Sequence, residues 1–318
     1  MNVIGWMLDS DVFLQYLVKK DLLDTKSSEL SVLRKRILTE GYAKKMIEKQ
    51  DLSTYRWAEG VYSPKYISTH YTLLELCQLN APITEERFVK AVEILFDNLW
   101  VENGKVNNYR HQDICVVAMM VRIATQTSIK NPKIEAMIDY ILAHQMSDGG
   151  FNCAWERKPY PKQSSLHTTI SVLEAFDNYR KQGYKYRLDE INNIIPQAVE
   201  YLLTKSLFRS VRTKNIIHKD MLSFPFPYGW KYDILRALFI MAELDIPYDY
   251  RMQEALDIIK NRLDMFGRIK ADKKPPSLHH FRFTSTNKPC PFNTYRVLRV
   301  LKYYEPRVYQ EYLTKEIE

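Results

Sequence analysis

Apolar residues return every third or fourth position in segment after segment of this chain, and the segments alternate in character. One kind opens with polar or aromatic groups and then turns apolar: Ile67–Leu76, His111–Met120, Ser165–Glu174, Trp230–Phe239 and Phe292–Leu301. Each follows a more polar helical segment and a loop rich in Gly, Pro or Tyr. The alternation predicts repeated helical hairpins, which stack into a solenoid or close into a ring. A closed ring would bring the polar starts of the inner helices to one end of a central cavity.

Taken in order, the periodicity predicts an inner helix near 11–23 and a long charged outer helix over 28–50. Inner helices follow near 67–79, 112–124, 165–179, 230–244 and 291–304. Outer ones fall near 84–99, 132–145, 195–205, 251–265 and 306–317, giving six of each. Pro132, Pro291 and Pro306 sit at first turns, where a missing amide hydrogen costs nothing. The polar stretches 180–193 and 206–222 read as long connections between helices, so residues 1–318 are expected to form one domain.

Composition supports a cytoplasmic helical protein. Hydrophobic residues make up 46% of the chain, enough for a large core, yet no run approaches the roughly 18 apolar residues that span a bilayer. Met1–Ser10 lacks a basic n-region and carries an acid, which argues against a secretory signal. The net charge of +8 favours anionic partners, diphosphates or a membrane surface. Its cations are scattered, as in Lys19-Lys20, Arg34-Lys35-Arg36 and Lys273-Lys274, so no nucleic-acid partner is indicated. Cys77, Cys115, Cys153 and Cys290 form no CxxC pair, hence neither a disulfide framework nor a zinc ribbon.

The loop Gln145-Met-Ser-Asp-Gly-Gly-Phe151 is a tight turn in which glycine supplies positive φ and Asp148 can cap nearby amides. Lying before Ser165-Leu-His-Thr-Thr169, it resembles the Gln-x-x-Asp-Gly-x-aromatic repeat of squalene cyclases and protein prenyltransferase β-subunits. Gln50–Trp57 is a degenerate second copy and Leu263–Arg268 a third. The resemblance covers nearly the whole chain and implies an all-α (α/α)6 toroid of six helical hairpins. The Asp-x-Asp-Asp acid of the cyclases is absent, with Asp9-Ser-Asp11 the nearest string, and so is an Asp-Asp-x-x-Asp magnesium motif. A proton-initiated cyclase would need another acid, Asp113 or Asp233, kept protonated by an apolar cavity.

Similarity to the prenyltransferases implies more. Their zinc is held by an Asp-x-Cys opening one inner helix and a His opening the next, positions matched by Asp113, Cys115 and His167. Three ligands would leave a fourth position for a substrate thiolate. Arg110 and His70 then correspond to diphosphate contacts, whereas the family's Tyr three residues after the Asp is Val116 here. Each ligand also has a structural reading: Cys115 as a small buried hydrophobe, Asp113 as a helix cap, and His167 as a hydrogen-bonding partner of a neighbouring loop.

Phe224–Asp233 adds a run of rings in which Trp230 and Tyr232 form an aromatic wall beside Asp233 and Arg236. Asn293, Tyr295 and Arg296 would complete the ring, Arg296 as an anion contact. A Pro-aromatic loop can equally plug the end of a helical barrel. The expected function is a cyclase- or prenyltransferase-like enzyme holding a small apolar or isoprenoid substrate, with zinc-assisted transfer to a thiol and no nucleotide cofactor. Two further readings stand beside it: a non-catalytic toroid that binds a ligand or partner, and a carbohydrate-active toroid with paired carboxylates.

Overall fold

The computed structural model describes residues 1–100, 113–154, 159–274 and 276–317, among which the alternating pattern resolves into fourteen α-helices and isolated β-bridges without a strand. In chain order these are α1 (Val3–Leu8), α2 (Val12–Asp21), α3 (Ser27–Arg36), α4 (Gly41–Ile47), α5 (Thr69–Gln78), α6 (Glu86–Leu99) and α7 (Ile114–Gln126). The remainder are α8 (Pro132–Ala143), α9 (Leu166–Lys181), α10 (Leu188–Thr204), α11 (Ile234–Glu243), α12 (Gln253–Lys260), α13 (Pro291–Tyr304) and α14 (Pro306–Leu313).

Two sequence patterns produce two layers. Helix α6 buries one stripe, Phe88, Ala91, Val92, Leu95 and Phe96, and leaves its other faces polar, as an outer helix does. Helix α7 buries nearly every residue from Val116 to Gln126, which requires neighbours all round. Each fully buried Leu, Ile or Phe contributes about 1.5–3 kcal/mol, so this difference in burial decides which layer a helix joins. Inner helices α5, α7, α9, α11 and α13 pack in succession, and α13 returns to α2. Residues of all six inner helices line one central cavity, so the chain is an (α/α)6 toroid.

Several boundaries differ from the sequence expectation. The segment 28–50 is broken over residues 37–40; Gly41, with φ of +65°, opens the next helix, and an added Cβ there would lie 2.2 Å from the Asp11 carboxylate, which accepts the Tyr42 amide at 2.8 Å. Helix α10 starts at Leu188, more than a turn before the expected Ile195, because Ile191 and Ile195 continue the apolar stripe and Pro196 is tolerated inside the helix. Residues 230–233 stay outside α11, where the Asp233 side chain caps the Arg236 amide at 2.7 Å. Helices α12 and α14 end early, at Lys260 and Leu313, and the short α1 was not foreseen.

The repeat loops share one device. After the Asp148 turn, buried Phe151 donates its amide to Thr169 Oγ1 in α9 at 3.0 Å. After the Asp51 turn, buried Trp57 donates to Thr69 Oγ1 at the start of α5 at 3.1 Å. After the Asp264 turn, buried Ile269 donates to Thr294 Oγ1 in α13 at 3.1 Å. A threonine on an inner helix thus clasps the returning loop in three repeats. The ends of the ring also meet: Ile317 donates its amide to the Met1 carbonyl at 2.7 Å, and Asn2 Nδ2 donates to the Leu313 carbonyl at 3.0 Å. Among the described residues, no helix is long and apolar enough to cross a membrane.

Gly149 and Gly183 separate backbone strain from steric clash. Both have positive φ, +87° and +81°, but a Cβ on Gly149 would sit 2.6 Å from the Gln197 carbonyl, while one on Gly183 meets nothing within 4 Å. Gly183→Ala should therefore cost about 1 kcal/mol, and Gly149→Ala at least about 2 kcal/mol, measured by urea denaturation.

Candidate functional site

The cavity has a volume of about 460 Å³ and lies toward the C-terminal ends of α5, α7, α9 and α11, with the first turns of α13 reaching it from the other side. It is lined there by Cys77 and Gln78 of α5, Arg122 and Gln126 of α7, Glu174, Asp177 and Lys181 of α9, and Glu243 of α11. Of the helix starts expected to gather there, only those of α2 and α13 contribute among the described residues, through Phe13, Phe292, Tyr295 and Arg296. Their loops close the opposite end with stacked rings: Phe226 lies 4.9 Å and Phe13 5.3 Å from Phe292, and Phe283 meets Phe226 edge-on at 5.4 Å. The aromatic loop is therefore a plug, and only its Phe226 and Tyr228 face the cavity as a floor.

Exposure falls with depth. Lys181 at the mouth is 45% exposed, Asp177 and Glu243 are 13% and 16% exposed, and Glu174 and Arg236 beneath them are 6% and 2% exposed. Glu174 organises the floor. Its two oxygens accept Arg236 Nε and Nη2 at 2.7 and 2.8 Å, and one also pairs with Arg122. Burial disfavours the Glu174 anion, but Arg122 and Arg236 outweigh it and hold the carboxyl near a pKa of about 2. Tyr228 lies beneath, its ring 4.8 Å from the Arg236 guanidinium and 4.7 Å from that of Arg296, its hydroxyl accepting from Arg122 at 3.5 Å.

At the mouth, Lys181 Nζ bridges Asp177 at 2.8 Å and Glu243 at 2.7 Å, so the two bridged oxygens are at most 2.8 + 2.7 = 5.5 Å apart. Burial pushes the Asp177 carboxyl up against the opposing pull of Lys181. Burial also acts against Glu243, yet Lys181 and Arg299, 3.2 Å away, keep its carboxyl below the usual range. Two neighbouring carboxyls are thus displaced in opposite directions, the arrangement that suits an acid and a base.

Of the residues singled out from sequence, Tyr295 and Arg296 line the cavity. Arg236, Asn293 and Asp233 stand directly behind it: Asn293 Oδ1 accepts from Arg296 at 3.1 Å, and Asp233 Oδ1 lies 3.8 Å from Arg296 Nη2. Trp230 and Tyr232 form no wall. Trp230 packs 5.3 Å from the His167 ring and the Tyr232 hydroxyl donates to the Leu207 carbonyl at 2.6 Å, both beyond Gly229, where φ of +58° turns the loop. His70 does not line the cavity: it is fully buried between Tyr62 and Tyr71, and neither ring nitrogen meets a hydrogen-bond partner among the described residues. Arg110 lies outside the described residues.

Nor do Asp113, Cys115 and His167 assemble as a zinc site; among the described residues no group of three or more His, Cys, Asp or Glu is placed to hold a metal ion. His167 Nδ1 accepts the Tyr232 amide at 2.8 Å. A neutral imidazole that spends its lone pair on that bond carries its hydrogen on Nε2, leaving no nitrogen to ligate. The Cys115 amide and the Thr168 hydroxyl both donate to Cys153 Sγ, at 3.2 and 3.3 Å, and Asp113 is the N-cap residue of α7.

Sequence reasoning missed Glu174, Arg122, Tyr228, Asp177 and Glu243. The usable signal was a charge within an otherwise apolar inner helix, as with Arg122, the single charged residue of Ile114–Gln126.

Glu174→Gln should destabilise the protein by about 3–5 kcal/mol at pH 7, because two buried guanidiniums lose their counter-charge; guanidinium denaturation tests this. A second expectation concerns acid. Burial, reinforced by nearby cations, lowers the pKa of His70 to about 3 and those of His167 and His280 to about 4. Between the ordinary value near 6.5 and these values the unfolded chain binds more protons, so this contribution is present above pH 6.5 and is lost as pH falls toward 4. Denaturation midpoints should drop across that interval, and His70→Phe should flatten the slope without loss of stability at pH 7.

No protein-family model matches the chain, and no curated protein matches it in sequence. Among solved structures, it is similar to a glycosyl hydrolase family 88 protein from Bacteroides vulgatus, at 14% identity and a TM-score of 0.48, over 91% of this chain and 88% of that one.

Proposed function

We propose that the protein is an α/α-toroid enzyme whose central cavity takes a small, polar, water-soluble substrate, with Asp177 and Glu243 moving protons at the mouth. The observation that carries this reading is the Asp177–Lys181–Glu243 bridge: two carboxyls within 5.5 Å, from 2.8 + 2.7 Å, at the entrance of a cavity of about 460 Å³. Asp177, the carboxyl pushed up, serves as the acid, and Glu243, held down, as the base. A bound substrate would compete for Lys181 and release the pair to act on it.

The isoprenoid and prenyl-transfer reading is less well supported. An apolar chain entering this cavity would cover Arg296, whose Nε and Nη2 have no hydrogen-bond partner among the described residues, without giving it one, at a cost of several kcal/mol. Its zinc would also lack a nitrogen ligand at His167. The non-catalytic alternative shares the cavity and differs only in turnover.

The test is a thermal-shift screen of the full chain with neutral sugars and polyols, polar acids and long-chain isoprenoid diphosphates, followed by chromatography of each stabilising compound for product. A polar compound should bind and turn over. Asp177→Asn and Glu243→Gln should each lower turnover at least about 10²-fold while the compound still raises Tm. Stabilisation by isoprenoids alone would reject the polar reading, and binding without turnover would leave the non-catalytic toroid.

A further inference from the structure

Among the described residues, Arg296 is a deeply buried guanidinium whose hydrogen bonds are incomplete. It lies in the body of α13, its side chain 4% exposed, and it lines the cavity. Its Nη1 donates to Asn293 Oδ1 at 3.1 Å, whereas Nε and Nη2 have no hydrogen-bond partner among the described residues. The nearest anion, Asp233 Oδ1, stands 3.8 Å from Nη2 and already accepts the Arg236 amide at 2.7 Å. Leaving two such donors unmet inside a protein is costly, and native structures rarely do so without a ligand, ion or solvent to meet them.

Charge points the same way. The buried group holds three cations, Arg122, Arg236 and Arg296, against two carboxylates, Glu174 and Asp233. Glu174 is fully engaged by Arg122 and Arg236, so it offers nothing to Arg296, and the group as a whole carries one positive charge in excess. The Tyr228 ring packs 4.7 Å from this guanidinium, restricting where its planar fork can turn. Adjacent Nε–H and Nη2–H groups present the two parallel donors that a carboxylate or a phosphate accepts. Farther out in the same cavity, Arg34 Nε and both side-chain polar atoms of Gln78 are likewise buried without partners among the described residues.

We infer that the cavity ligand carries an oxyanion group, a carboxylate or a phosphate, which seats on Nε and Nη2 of Arg296 above the Tyr228 floor. This rests on the cavity being the substrate site. The oxyanion balances the surplus charge of the floor, and the rest of the molecule extends toward Gln78 and the Asp177–Glu243 mouth. Arg296 is thereby a binding residue that sets substrate class and takes no part in proton transfer.

Isothermal titration of the full chain with inorganic phosphate, acetate and glycerol, at fixed ionic strength, tests the inference. Phosphate or acetate should bind and raise Tm, and whichever of the two binds identifies the group; glycerol should not bind at this point. Arg296→Lys keeps the charge but loses the fork and should weaken binding at least about tenfold. Arg296→Met should abolish it, with circular dichroism confirming that the variant is folded. Arg212→Gln, on an exposed hairpin, should bind as the unmodified chain does. Equal anion affinity in Arg296→Lys and Arg296→Met would place the anion elsewhere and overturn the inference. If only neutral sugars or polyols bind in the cavity, the substrate site stands and the oxyanion inference falls; if no compound binds at all, both fall.

Discussion

One buried carboxylate governs the centre of this ring. Glu174 on α9 holds Arg122 of α7 and Arg236 of α11, so three consecutive inner helices are fixed to one another by a single anion. Six helices packed by apolar contact alone would draw inward until the space between them filled. Charged groups that must keep hydrogen-bond partners prevent that collapse and leave a hollow lined by charged and apolar residues together. The floor depends on the same group, because Tyr228 packs against the Arg236 guanidinium and accepts from Arg122, both of which Glu174 holds. Removing the carboxylate would loosen helices, floor and cavity together.

The fold was legible because burial repeats. Helices that are apolar all round alternate with helices apolar on one stripe, and α13 was located to the residue because Pro291 and the following Pro306 mark both its limits. The errors arose where a local signal depended on a distant group. Gly41 reads as a tolerable helical glycine until Asp11 is seen to occupy the space its Cβ would need. Residues 188–193 read as part of a polar connection because Ile191 is isolated among Asp, Glu and Asn, although its spacing to Ile195 continues into the buried stripe of α10.

The site was less legible for a geometric reason. The polar residues at the inner-helix starts looked like chemistry converging on a cavity, but they serve the loops: Thr69, Thr169 and Thr294 clasp returning backbone, Asp233 caps α11, and His167 accepts the Tyr232 amide. The same residue types build a ring of caps or a ring of ligands, and sequence alone does not say which. The charged groups of the cavity therefore lie within the helices, Arg122, Glu174, Asp177 and Glu243 in the C-terminal halves of theirs and Arg296 in the second turn of α13. There a lone Arg or Glu resembles a minor interruption of the stripe, although a charge that accepts burial is stronger evidence of purpose than a polar helix start.

The meeting of the chain ends has a consequence for how this molecule is made. Tyr295 on α13 hydrogen-bonds Asp21 on α2 across 274 residues of sequence, and the strands of backbone at Met1 and Ile317 are joined as well. Until the final hairpin emerges from the ribosome, the nascent chain is an open arc whose first inner helix shows an apolar flank to solvent. Closure is a late, long-range step with a large loss of chain entropy, and the exposed flank invites a second copy to occupy the vacant place. Because residues 1 and 317 lie side by side, a short linker between them together with a new break in a surface loop would move the last step of assembly to a different gap in the same ring.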